Sequence, residues 1–234
     1  NHYRCNEKII DFNNKKYYNS KLQVHSDSRE KQPLVYVNVA GGQSDIKNTS
    51  PAEVEEIMHY AAENQDKSIA VITPFVNQRM LIEQGIRENG FEHVVCGTVH
   101  AFQGDEKDVV LFSTALSDRT GKGTYDWLKN NKELINVATS RAKDKLILLA
   151  DEKELERLHQ GNEDDDLYEL VQYVKTNGES KITEKHVSSR ALGIQPFSTE
   201  TETAFLKNLT HALENIWLTR NKYTIHKEVA ISQV

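Results

Sequence analysis

The sequence predicts an α/β domain: three layers, with helices on both sides of a mainly parallel sheet. Two observations carry this prediction. Several short runs are apolar at every position, and segments with helical spacing lie between them. Strands that alternate apolar and polar residues face water on one side. Runs such as Ile69-Ala70-Val71-Ile72 and Val109-Val110-Leu111-Phe112 do not alternate, so both of their faces are buried, as in a parallel sheet covered by helices.

In chain order, Leu34 to Val39 is the first clear strand, and Gly41-Gly42 breaks it. Ser50-Pro51-Ala52-Glu53 is a helix start: Ser50 suits the cap, Pro51 the first helical position, and Glu53 a capping box. Val54, Ile57, Met58, Ala61 and Ala62 follow at helical spacing. After the strand 69–72, Thr73-Pro74 is expected to start and cap a second helix, which Gly90 can end. Val94 to Val99, Val109 to Phe112 and Leu146 to Leu149 are the remaining strands of this domain. Cys96 is expected to be a small core residue.

After Asp151 the composition changes. Gly161 to Asp166 is polar and acidic and reads as a boundary. Asp164-Asp165-Asp166 could suggest a metal site, but a solvated helix start explains three acids there. Leu167, Leu170, Val171 and Val174 mark a short amphipathic helix. Thr199 to Glu202 forms another capping box before a helix with Phe205, Leu206, Leu209, Ala212, Leu213 and Ile216 on one face, and Tyr223 to Ile231 resembles a strand. This divides the chain into a domain over 1–160, a linker or helical connection over 161–197, and the start of a further domain over 198–234. Gly121-Lys122-Gly123-Thr124 echoes a phosphate loop but lacks its spacing, and reads as a flexible hairpin or loop.

The bulk numbers narrow the function. No apolar run in the 234 residues approaches the roughly 20 needed to cross a bilayer, so no membrane partner is expected. The two cysteines, Cys5 and Cys96, form neither a metal-binding spacing nor a disulfide framework, which suits a reducing cytoplasm. A net charge of −6 argues against a strongly basic nucleic-acid binder. It leaves room for a groove with local positive charge and backbone donors. The chain opens without methionine or signal pattern and reads as a piece of a longer protein.

Four segments carry chemistry. The first is His2-Tyr3-Arg4-Cys5, with Ile9-Ile10, Phe12 and Tyr17 to Leu22; the second is Ile72-Thr73-Pro74-Phe75 with Gln78. The third runs from Gly97-Thr98-Val99-His100 through Gln103-Gly104-Asp105-Glu106 to Asp108, and the fourth is Asn136-Val137-Ala138-Thr139-Ser140-Arg141-Ala142. In this order and spacing they resemble the motifs of the second motor domain of superfamily 1 helicases, in the branch containing the nonsense-mediated-decay helicase and senataxin. The resemblance runs from the first residues to about Asp151.

The resemblance implies a RecA-like fold, ATP with Mg²⁺ as cofactors, and movement along single-stranded DNA or RNA. It implies that Arg4 and Arg141 reach across a cleft to the γ-phosphate. An arginine stays charged and offers a planar fork of donors, which suits the charge that spreads over a transferring phosphoryl group. The same resemblance places Gln103, Gly104 and Glu106 beside the nucleotide. A carboxylate there must accept from a ribose hydroxyl or orient an arginine, since phosphate would repel it. Thr98 and His100, at a strand end, would face the nucleic-acid backbone together with Thr73 and Pro74 at a helix N-terminus.

The phosphate loop and the Asp-Glu pair that hold phosphates and metal are absent from this sequence, so an upstream RecA-like domain is the implied partner and the fragment alone is expected to be inactive. Two alternatives stand: a helicase-like module that grips nucleic acid without turnover, and the motor of a helicase-nuclease. The last forty residues resemble the opening of a restriction-endonuclease-like domain, with Glu202 as its first carboxylate.

Overall fold

The computed structural model describes residues 5–22, 26, 28–39, 44–98 and 106–183. The expectations placed on Arg4, His100, Gln103, Gly104 and residues 198–234 lie outside them. Within them the chain runs α1 (Glu7–Tyr17), β1 (Leu34–Asn38), α2 (Pro51–Glu63), β2 (Ile69–Ile72), α3 (Val76–Asn89), β3 (Val94–Gly97) and β4 (Lys107–Ser113). It continues α4 (Lys122–Lys129), α5 (Lys132–Ser140), β5 (Ala142–Ala150), α6 (Glu152–His159), α7 (Asp166–Asn177) and β6 (Glu179–Ile182).

The strands form one sheet in the order β3-β2-β4-β5-β1-β6, and every pairing is parallel. The fully apolar strands face two cores. Leu34, Tyr36, Val110, Phe112, Leu146 and Leu148 point to the side holding α1 and α4 to α7. Val35, Val37, Val109, Leu111, Ile147 and Leu149 point to the side holding α2 and α3. Successive side chains of a strand alternate faces, so a central strand between two helical layers must be apolar throughout. This is an α/β RecA-like fold.

Several local expectations change. Thr73-Pro74 does not start α3. Phe75 occupies the cap, makes no side-chain cap bond, and the helix begins at Val76. The Thr73 side chain is buried at the end of β2 instead of reaching the helix. The far end is as anticipated: Gly90 takes a left-handed conformation (φ +66°) and closes the helix. The capping box at α2 is only half formed. Ser50 accepts from the Glu53 N–H (3.3 Å), but the Glu53 carboxylate turns inward to β4. Residues 121–124 are not a loop: Lys122 to Thr124 form the first turn of α4, held by Tyr125 and Leu128 in the core.

Of the three acids at the start of α7, Asp164 is exposed as expected, but Asp165 and Asp166 are not solvated. Asp165 caps the helix and is buried, accepting from the Tyr168 N–H (2.9 Å) and the Tyr125 hydroxyl (2.7 Å), with His159 Nδ1 3.0 Å away. Asp166 is also buried, paired with Lys16 (3.0 Å) and accepting from the Tyr17 hydroxyl (3.0 Å). Cys96 is half-buried rather than fully enclosed, because β3 is an edge strand.

The segment read as a connection after residue 160 carries α7, whose Leu167, Leu170, Val171 and Val174 fill the core, and β6, which pairs with β1. The turn between α7 and β6 passes close to β1. A Cβ added at Gly178 would lie 2.2 Å from the Leu34 carbonyl oxygen, a backbone atom that cannot step aside. Gly178→Ala is therefore expected to destabilise the chain by about 3 kcal/mol, the upper range for overpacking. That corresponds to a fall of about 6–12 °C in melting temperature by circular dichroism. An unchanged melting temperature would show that β6 can lift away from β1 freely.

Candidate nucleotide and strand-binding edges

All the strands point the same way, so their amino ends share one edge of the sheet and their carboxyl ends share the other. The chemistry-bearing residues divide between these edges.

Arg141 and Glu106 meet at the amino edge. Arg141 ends α5 immediately before β5, and Glu106 immediately precedes β4. The Lys107 N–H donates to the Arg141 carbonyl (3.1 Å), which fixes the two segments side by side. Cys5 closes the same edge. Its thiol donates to the Ala142 carbonyl (2.7 Å), and the Asn6 N–H donates to the Lys143 carbonyl (2.8 Å). Burial, reinforced by the Glu106 charge, pushes the Cys5 thiol up to about 12, so it stays a protonated donor and not a nucleophile.

The backbone that carries Arg141 is tightly held. Asn131 caps α5 by accepting from the Leu134 N–H (3.1 Å), and Leu134, Ile135 and Ala138 anchor the helix in the core. From α1, the Asn13 amide donates to Asn136 Oδ1 (2.8 Å) and Thr139 Oγ1 (2.6 Å). Sequence reasoning missed Asn13. The available signal was a polar residue on the apolar face of α1, beside Ile9, Ile10 and Phe12, where burial requires a hydrogen-bond partner. Against this fixed backbone, the Arg141 Nε is buried and has no hydrogen-bond partner among the described residues.

At the carboxyl edge, the Thr73 N–H donates to the Gly97 carbonyl (3.2 Å), which brings Thr73, Pro74 and Thr98 together at the ends of β2 and β3. The Thr73 side chain is fully buried and its hydroxyl has no partner among the described residues. Sequence had placed Thr98 and Glu106 in one continuous motif. The structure puts its two ends on opposite edges, with residues 99–105 outside the described set.

Behind the carboxyl edge lies a buried polar network that the sequence did not reveal as such. Gln78 exchanges hydrogen bonds with the Ser50 backbone (2.8 and 3.2 Å) and donates to the Ser113 hydroxyl (3.0 Å). Ser113 in turn donates to Glu53 (2.6 Å). The Ala115 N–H donates to both Glu53 oxygens (3.1 and 3.0 Å), holding Ala115 at φ +52°, a left-handed conformation unusual for alanine. Complete burial pushes the Glu53 carboxyl up to about 8, outweighing these donors, which act to lower it. Glu53 and Gln78 thus tie α2, α3 and the end of β4 into one unit under the loops.

No helix among the described residues is long and apolar enough to cross a membrane. The all-parallel RecA-like sheet, together with the family and relatives that this chain matches, identifies a motor domain of the superfamily 1 helicases. The chain belongs to the family described as an AAA domain, whose profile matches residues 1–153. It is 28% identical, over 78% of its length and 30% of the relative's, to an uncharacterized ATP-dependent helicase of Methanocaldococcus jannaschii. It is 28% identical to a regulator of nonsense transcripts 1 homolog of Drosophila melanogaster, over 65% of this chain and 15% of that protein. A putative helicase mov-10-B.1 of Danio rerio is 27% identical, over 63% of this chain and 18% of its own length. The chain therefore spans under a third of the length of these curated relatives. Among solved structures, the C-terminal domain of a possible DNA helicase from Lactobacillus plantarum aligns with TM-score 0.44 and 16% identity, covering 79% of this chain and all of that one.

Proposed function

We propose that this chain is the second motor domain of an ATP-dependent DNA or RNA helicase, one that supplies arginine fingers to an ATP site and half of a single-strand groove. The observation that carries the reading is Arg141: its backbone is fixed by α5 and by the Asn13 clasp, its Nε lacks any partner among the described residues, and it stands beside Glu106. A guanidinium on a fixed backbone with an unpartnered Nε suits a phosphate that arrives from outside the domain. Arg4 is assigned the same task, and Gln103, Gly104 and Glu106 the neighbourhood of phosphates and ribose.

ATP bound there would supply the phosphoryl group, and Arg141 would meet the charge that develops on it. No cluster of three His, Cys, Asp or Glu that could hold a metal ion occurs among the described residues. By the helicase resemblance, Mg²⁺ is assigned to the upstream RecA-like domain, together with the phosphate loop. Thr73, Pro74, Thr98 and His100 form the strand-binding edge. The unpaired Thr73 hydroxyl and the uncapped N-terminus of α3 offer donors suited to backbone phosphates. The motor domain reaches past residue 160 to include α7 and β6. Both cysteines are free, and we place the protein in the reducing cytoplasm.

The test is steady-state ATP turnover with and without single-stranded DNA or RNA, on this chain alone and on the protein carrying the upstream domain. Strand-stimulated turnover only in the longer protein supports the reading. Absence of turnover in the intact protein would leave a nucleic-acid-binding module, and turnover by this chain alone would place the catalytic set elsewhere.

A further inference from the structure

The rim of the carboxyl edge is unusually apolar. Of the seven large hydrophobic side chains exposed among the described residues, four belong to it: Ile46, Val76, Met80 and Trp127. Two hydrogen bonds draw their segments together. Asn77, next to Val76, donates to the Lys47 carbonyl (3.0 Å), and Arg119, in the turn before α4, donates to the Asp45 carbonyl (3.0 Å). Trp127, on α4, is 51% exposed, and its ring packs against Phe75 with centroids 6.1 Å apart at 43°. Phe75 is itself buried and lies two residues beyond Thr73. The tryptophan is thus an exposed indole on a firm backing, at the margin of the edge assigned to the strand.

We propose that Trp127, backed by Phe75, is a stacking platform for an unpaired base of the single strand. The inference rests on the strand-edge reading above and extends it from phosphate contact to base contact. The charge of the rim selects this occupant. Among the described residues Lys47 and Lys122 form no ion pair, and Arg119 donates only to the Asp45 carbonyl, so a polyanion meets cations that no carboxylate neutralises directly. Asp45 and Asp118 are exposed among them, so net positive charge alone cannot hold the strand here. The remaining attraction is apolar and aromatic, which a base face satisfies and a phosphate does not. Stacking on an aromatic ring is tolerant of sequence, as a translocating motor requires.

The test uses the protein carrying both motor domains and fluorescently labelled 20-nucleotide strands, read by anisotropy. One strand is oligo(dT); the other is an abasic strand of the same length and charge. Trp127→Ala is expected to weaken oligo(dT) binding about ten-fold and the abasic strand less than about two-fold, while Trp127→Phe stays within about three-fold of wild type on both. Equal oligo(dT) affinity for wild type and Trp127→Ala would overturn the platform and leave the strand edge standing. Equal losses on both strands would also overturn it, since the ring would then act without bases. Self-association of the wild type that Trp127→Ala abolishes, with strand binding unchanged, would give the patch to a second copy of the protein instead. If the wild type bound neither strand, the strand-edge reading itself would fall, and the platform with it.

Discussion

Replacing Arg141 by alanine in the protein that carries both motor domains is expected to lower strand-stimulated ATP turnover by about 10³–10⁵-fold, the range that positioned arginines contribute to phosphoryl transfer. The fold should survive. Arg141 follows α5 rather than sitting inside it, and its side chain is only half-buried. Its structural bonds are made by the backbone, with its N–H donating to Val137 and its carbonyl accepting from Lys107. An alanine keeps both. Arg141→Lys should recover little, because an ammonium lacks the planar fork. Melting temperature and strand affinity should stay near wild type in both variants. Turnover reduced less than about ten-fold would remove Arg141 from the transition state and return it to a surface role.

Stability should also fall as pH rises from about 5 to 8, and Glu53→Gln should remove most of that slope. The buried Glu53 carboxyl titrates at about 8 in the folded chain, against an ordinary 4.5. Below 4.5 both states hold the proton. Between 4.5 and 8 the folded state still holds a proton that the unfolded chain has released, so raising the pH favours unfolding. Above 8 both states have lost it and the slope ends.

The other perturbed groups lie outside this window. Cys5 and Cys96 are pushed up to about 12 by burial. Asp108 and Glu30 are lowered by backbone N–H donors, from Ser68 and Gln32 respectively. A wild-type melting temperature about 5–10 °C lower at pH 8.5 than at pH 5.5, with a flat profile for Glu53→Gln, is the expected result. Parallel profiles for the two proteins would assign the slope to other groups. Glu53→Ala should be worse than Glu53→Gln at every pH. It leaves the Ser113 hydroxyl and the Ala115 N–H without their acceptor, each costing about 1–3 kcal/mol.

Much of this protein was legible in its sequence for reasons of periodicity. The continuous apolar runs at 69–72, 109–112 and 146–149 are too short for buried helices and, alternating with helical segments, imply strands buried on both faces, parallel pairing and two helical layers. Motif order did the same for the family, since four short segments in fixed sequence identify a motor domain that none identifies singly. Elements without such a signature were harder to read. β6, Glu-Ser-Lys-Ile, is mostly exposed at the sheet edge and shows no apolar pattern, so only its pairing with β1 reveals it as a strand.

Side-chain direction was beyond local reading. Ser50-Pro51-Ala52-Glu53 satisfies every local rule for a capping box, yet Glu53 turns to Ser113 and Ala115, sixty residues away, because that end of β4 has donors in need of an acceptor. Asp165 and Asp166 have the sequence of a solvated helix start and the environment of a core, because Tyr125, His159, Lys16 and Tyr17 arrive from other elements to satisfy them.

The sequence by itself determined the central strands, their burial on both faces, the parallel sheet and the chemistry on offer, since these follow from which residues are apolar and which motifs follow one another. Only the tertiary structure decided where that chemistry stands. It put Arg141 with Glu106 at one edge of the sheet and Thr73 with Thr98 at the other, and it set Trp127 against Phe75. Each of these pairings joins residues far apart in the chain, and only packing, not local propensity, specifies which distant segments meet.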